Sequence, residues 1–118
     1  MLRLQERAVR DINAAYVYFT EVASASIANE WQDGLRQIIA SLSASPRRCP
    51  LVPEKFRREV RQMLYRRPGS QATHRILFTI TGEQPHSSDP PTVTILHVRH
   101  ASARSITPMQ SREIEAGE

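Results

Sequence analysis

The chain has 118 residues, a formal net charge of +4, a pI near 10.0 and a single cysteine. That length suits one domain able to bury a core without cross-links, and Cys49 alone can close no internal disulfide, so it reads as a bystander. No apolar run approaches the roughly 20 residues that a membrane-crossing helix needs, and the first residues lack a secretory apolar stretch, so a cytoplasmic protein is expected. The charge is unevenly spread: residues 1–45 carry a net −1, residues 46–104 a net +7 and residues 105–118 a net −2. All cations but Lys55 are arginine, whose planar fork suits phosphate and carboxylate. Nucleic acid or an acidic protein is therefore the partner class that composition points to.

In chain order, Leu2–Leu4 is a candidate short strand. From Glu6 to Ala23 the apolar groups Val9, Ile12, Tyr16, Phe19 and Ala23 recur at helical spacing. Ile27, Trp31, Leu35, Ile38, Ile39 and Leu42 form a second stripe over Ile27–Leu42, read as core rather than as a partner groove. Ser24 or Ser26 can cap this second helix, and Pro46 ends it by excluding the helical conformation at Ser45. So short a link predicts a helical hairpin. Residues 46–58, with three prolines and five cations, read as a charged surface connection.

Three segments rich in β-branched and aromatic residues follow: Glu59–Arg67, Thr73–Thr81 and Thr92–His100. Alternation puts Ile76, Phe78 and Ile80 on one face and Arg75, Leu77 and Thr79 on the other. In the last strand it separates Leu96, Val98 and His100 from Ile95, His97 and Arg99. The fold class expected is α+β, an N-terminal helical hairpin packed on a small, mainly antiparallel β-sheet whose other face is free to display arginines. A single domain over residues 1–104 would be followed by a polar, acidic and mobile tail, 105–118.

No phosphate loop, dinucleotide fingerprint, metal-ligand spacing or nucleophile elbow appears, so no metal or cofactor is expected. The remaining candidates are strand cations: Arg61, Arg66, Arg67, Arg75, His97, Arg99, His100 and Arg104. Histidine and arginine can together cleave RNA without a metal by general acid–base catalysis and charge stabilisation, yet the same groups serve binding equally well. His74 reads as a structural donor and His86 as a solvated loop residue.

The segments Val60-Arg61-Gln62-Met63-Leu64-Tyr65, His74-Arg75-Ile76-Leu77-Phe78-Thr79-Ile80 and Val93-Thr94-Ile95-Leu96-His97-Val98-Arg99-His100, behind a helical hairpin, resemble the RelE/ParE family of bacterial toxins over residues 6–104. The resemblance implies the toxin of a type II toxin–antitoxin pair of the plasmid-stabilisation kind, neutralised by an acidic, partly disordered antitoxin. Arg75 matches an arginine that RelE-like ribonucleases use, and His100 lies where some of them place a histidine. With Arg61 these form the candidate catalytic set of a ribosome-dependent mRNA endoribonuclease. The C-terminal tyrosine of such nucleases is absent, since Ala101-Ser102-Ala103-Arg104 follows His100, and the RelE lysine pair has no counterpart. The ParE-like alternative, poisoning of DNA gyrase, is therefore preferred, with a non-toxic basic binding module as a third reading. Arg66, Arg67, Arg99 and Arg104 are candidates for contact with target or antitoxin. Arg75 is expected to point to the open face and to meet Arg61 and His100 there.

Overall fold

The computed structural model describes residues 1–82 and 88–117. Strand β1 (Leu2–Leu4) leads into helices α1 (Glu6–Val22) and α2 (Ala25–Ser41), followed by a single 3₁₀ turn at Pro46–Arg48. Strands β2 (Arg61–Arg66), β3 (Thr73–Thr81) and β4 (Thr92–His100) come next, and helix α3 (Pro108–Ala116) closes the chain. His86 lies outside the described residues.

The hairpin turns at Ala23–Ser24. Ser24 caps α2 by accepting a hydrogen bond from the Ile27 N–H at 3.1 Å, which satisfies one of the donors left open at a helix start. The sheet order is β1-β4-β3-β2, with β1 parallel to β4 and the other pairs antiparallel. The short β1 is secured at both ends, since Val93 N–H donates to Met1 C=O at 2.8 Å and Gln5 N–H to Ile95 C=O at 2.9 Å. Between β2 and β3, Pro68-Gly69 makes the turn, with Gly69 at φ 82°, a left-handed conformation that glycine adopts without a Cβ clash.

One core lies between the hairpin and the sheet, where Trp31, Leu35, Ile39 and Leu42 meet Ile76, Phe78, Val93 and Ile95. The helical spacing of α2 delivers its stripe to this core, and Trp31 is 1% exposed. On α1 the expected stripe is shifted: Ala8 is fully buried, whereas Val9 lies 42% exposed at the margin. Ala8 and Ala15 let the helix approach the sheet closely, and apolar size alone did not reveal that.

The second sheet face was expected to be open, and it is not. Leu77 and Leu96 are fully buried there with Val60, Ile106 and Ile114, flanked by Val52 and Phe56. Each such side chain contributes about 1.5–3 kcal/mol when taken from water, so this face is a true second core. Two readings change with it. The proline-rich connection is structural: Pro46 and Cys49 are buried, Leu51 bridges Arg61, and Val52 and Phe56 cover the sheet. The tail expected to be mobile contains α3, which Thr107 and Gln110 start with a reciprocal capping box and which buries Ile114.

A bulge in β4 explains why the face assignment there also changes. Leu77 pairs with His97 but Phe78 pairs with Ile95, so Leu96 is the extra residue. Past the bulge the phase reverses. Ile95 joins Val98 in the hairpin-side core, and Leu96 lies with Leu77 in the second one.

Candidate functional site

The candidate catalytic set is not brought together. Residues directly paired across an antiparallel ladder share a face. Arg61 pairs with Phe78 and His100 with His74, which places both on the hairpin side but at distant points of the ladder. Arg75 pairs with Leu64 and Arg99, on the opposite face.

Arg75 is sealed in rather than displayed. Its Nη1 and Nη2 donate to the two Glu54 carboxylate oxygens at 2.8 and 2.7 Å, and its Nε donates to Gln62 Oε1 at 2.7 Å. The Arg75 and Glu54 side chains are 12% and 6% exposed. Glu54 also accepts from the Ile106 N–H at 3.2 Å, so one carboxylate ties β3, the proline-rich connection and the C-terminal segment together. The hydrogen bonds from Arg75 outweigh burial and hold the Glu54 carboxyl down at about 2. Sequence reasoning missed Glu54 and Gln62. Gln62 was legible as a same-face neighbour once the β2–β3 register was known, but Glu54, between two irregular stretches, left no periodic signal.

Arg61 is held by the chain before it. Its Nη1 donates to Cys49 C=O at 2.6 Å, while Nη2 lies 3.8 Å from Glu59 Oε2, a carboxylate that Arg47 approaches to 3.7 Å. This buttresses the connection against β2 and leaves little of the guanidinium for a substrate.

His100 opens onto an apolar groove of about 620 Å³, lined among others by Tyr18, Phe19, Val22, Ile27, Arg67 and His74. Its Nδ1 accepts from the Ser102 N–H at 3.0 Å and lies 2.6 Å from Ser102 Oγ. His74 forms the groove floor, 5% exposed, its ring 5.1 Å from Trp31 and 5.2 Å from His100. Burial, with the nearby His100 adding, pushes its pKa down to about 4, so it stays neutral near pH 7. His97 is tied to α1: its Nδ1 sits 2.7 Å from Asp11 Oδ2, and that oxygen accepts the Val98 N–H at 3.0 Å.

Of the binding candidates, Arg66 and Arg104 are exposed. Arg67 contacts Glu30 at 3.3 Å and Pro68 C=O at 3.2 Å, and Arg99 donates to Arg104 C=O at 2.8 Å. Next to Arg67 a second hollow of about 620 Å³ runs between α2 and β2, past Ile38 and the 56% exposed Leu64. Pro50–Val52 covers the outer edge of β2 at Val60 and Gln62, so the edge beyond them presents Leu64 and Arg66. Among the described residues no helix is long and apolar enough to cross a membrane.

A helical hairpin on a four-stranded mixed sheet, with grooves flanked by arginine, defines the class of small RelE/ParE-like α+β proteins. The chain matches the family described as "ParE toxin of type II toxin-antitoxin system, parDE" over residues 2–104, and it belongs to that family. Among solved structures it is similar to one described as "Chromosomal ParDE TA system from P. aeruginosa", with a TM-score of 0.61 at 14% identity. That likeness covers 84% of this chain and 92% of the other. A search of curated proteins found no match.

Proposed function

We propose that this toxin-family protein stops bacterial growth by poisoning DNA gyrase in the cytoplasm and is neutralised by a cognate antitoxin. The observation that carries the choice of target is the separation of Arg75 from Arg61 and His100. Metal-independent RNA cleavage requires an acid, a base and charge stabilisation converging on one phosphate. Here the arginine is locked to Glu54 on one sheet face while the histidine opens from the other. A protein that acts by binding needs no such convergence. In this reading the antitoxin would lie along the apolar groove beside Tyr18, Val22 and His100, with carboxylates toward Arg67 at its margin and Arg66 on the neighbouring hollow. Such a disordered segment would gain order as it covers apolar surface and finds arginine partners.

The test takes purified protein into two assays. Gyrase supercoiling should be inhibited, and the adjacent-gene antitoxin should relieve the inhibition and co-purify. Untouched supercoiling with cleavage of ribosome-bound mRNA at defined codon positions supports the RelE-like alternative instead. Normal growth during soluble expression, with neither activity, leaves the non-toxic binding module.

A further inference from the structure

The two hollows of about 620 Å³ flank the β2–β3 turn, and one residue, Arg67, lines both. In the first, between α1 and the ends of β3 and β4, Tyr18 and Val22 are more than half exposed beside His100. In the second, between α2 and β2, Leu64 is likewise more than half exposed beside Ile38. The Arg67 backbone is fixed, since the Ser70 N–H donates to Arg67 C=O at 2.9 Å across the turn. Its side chain is held more loosely: Nη1 lies 3.3 Å from Glu30 Oε2 and 3.2 Å from Pro68 C=O, and the Glu30 side chain is 62% exposed. An ion pair with so exposed a carboxylate is weak and readily exchanged for another.

Apolar hollows on both sides of a guanidinium form the pattern of a protein interface, where anchors fill pockets and a charge sets the register. The fold also sets the spacing. His74 pairs with both His100 and Tyr65, so the hollows are separated by two strand spacings, roughly 10 Å. An extended chain repeats its facing every second residue, and its residues i, i+2 and i+4 together span about 13 Å. The open edge of β2 favours an extended segment over a helix. The Gln62 N–H faces that edge and donates to Pro50 C=O, and by the alternation of the strand the Leu64 and Arg66 N–H groups face the same way. A strand can pair with them, whereas the backbone groups of a helix are already spent internally.

We propose that the antitoxin crosses this turn as an extended segment of the form aromatic–x–acid–x–aliphatic. The aromatic side chain lies beside Tyr18 and His100, the carboxylate takes the place of Glu30 on Arg67, and the aliphatic side chain lies beside Leu64. That the partner is the antitoxin rests on the reading above, whereas the form of the segment rests on the two hollows alone.

The probe is a fluorescent nonapeptide of alanine and serine with phenylalanine, glutamate and leucine at its third, fifth and seventh positions, followed by anisotropy. It should bind at least about tenfold tighter than a peptide of the same composition with the three anchors adjacent, and tighter than one with helical i, i+4, i+7 spacing. Tyr18→Ala, Leu64→Ala and Arg67→Gln should each weaken it by about tenfold or more, while Val9→Ala, at an exposed site on another hollow, should stay within about twofold of the parent. Glu30→Gln removes the internal competitor and should tighten binding about threefold, an effect that disappears in the Arg67→Gln background. Failure of Glu30→Gln to tighten, indifference to Arg67→Gln, tighter binding of the helical peptide or an equal loss in Val9→Ala would overturn the proposal. So would a dimer of the free chain that Tyr18→Ala abolishes, since a second copy would then fill the groove. The same variants are then titrated with the adjacent-gene antitoxin. The expected peptide pattern without an antitoxin complex sinks the antitoxin reading and leaves the segment site, and a complex indifferent to Tyr18, Arg67 and Leu64 sinks this proposal alone.

Discussion

Replacing Arg75 with alanine should unfold the protein more readily rather than disarm it. The substitution leaves the Glu54 carboxylate, 6% exposed, with the Ile106 N–H as its surviving partner from outside the connection. Breaking one side of a buried pair costs roughly 3–5 kcal/mol. A second route gives a similar figure. Glu54 lies near 4.5 when unperturbed and at about 2 in the folded protein, and this difference corresponds to about 3 kcal/mol of linked stability. Because the folded value is depressed, that stability is present above about pH 4.5 and is lost as pH falls toward 2.

Urea unfolding at pH 7 should therefore show Arg75→Ala and Glu54→Ala each destabilised by about 3–5 kcal/mol. The apolar double replacement Arg75→Met/Glu54→Leu should be less destabilised than either, since it removes both desolvated charges. At this chain length the single variants should melt roughly 10–20 °C lower. An Arg75→Ala protein within 1 kcal/mol of the parent that has lost toxicity would refute the reasoning and return Arg75 to the functional surface.

Two further outcomes are expected. His74, at about 4 when folded against 6.5 when unperturbed, should make the protein lose about 3 kcal/mol as pH falls from 6.5 to 4, because only the unfolded chain takes up that proton. His74→Phe should abolish that loss, measured as the slope of urea stability against pH, and leave the lower Glu54 window intact. At Gly34, inside α2, a Cβ would overlap the Tyr65 hydroxyl and lie 3.0 Å from its Cζ, and that hydroxyl donates to Trp31 C=O at 3.0 Å. Gly34→Ala should destabilise by about 1–3 kcal/mol despite better helix propensity, and adding Tyr65→Phe should recover part of the loss in thermal melts.

The local elements were legible because their signals are local. Helical spacing from Ile27 to Leu42, a serine cap at Ser24 or Ser26, the Pro46 stop and the β-branched runs at Thr73–Thr81 and Thr92–His100 each depend on neighbours a few residues apart, and the structure selects Ser24. The family was readable for the same reason, since its strand segments are short contiguous runs. Even the three-residue β1 appeared where expected, although only β4, some 90 positions later, supplies its hydrogen bonds.

What lay beyond the sequence was long-range. Alternation tells which residues share a face but not what covers it, so Leu77 beside Arg75 was read as part of an open surface until Val52, Phe56, Ile106 and Ile114 closed over it. The single extra residue at Leu96 reversed the face of half a strand, an event invisible to a period-two pattern. The role of Arg75 was decided the same way. A lone arginine is a catalyst, an anion binder or an ion-pair partner according to what the folded chain brings against it, and here the tertiary structure brings Glu54 from 21 residues away. Burial and pairing are properties of surfaces meeting in space, which is why residue type and spacing could nominate Arg75 but only the packed fold could assign it.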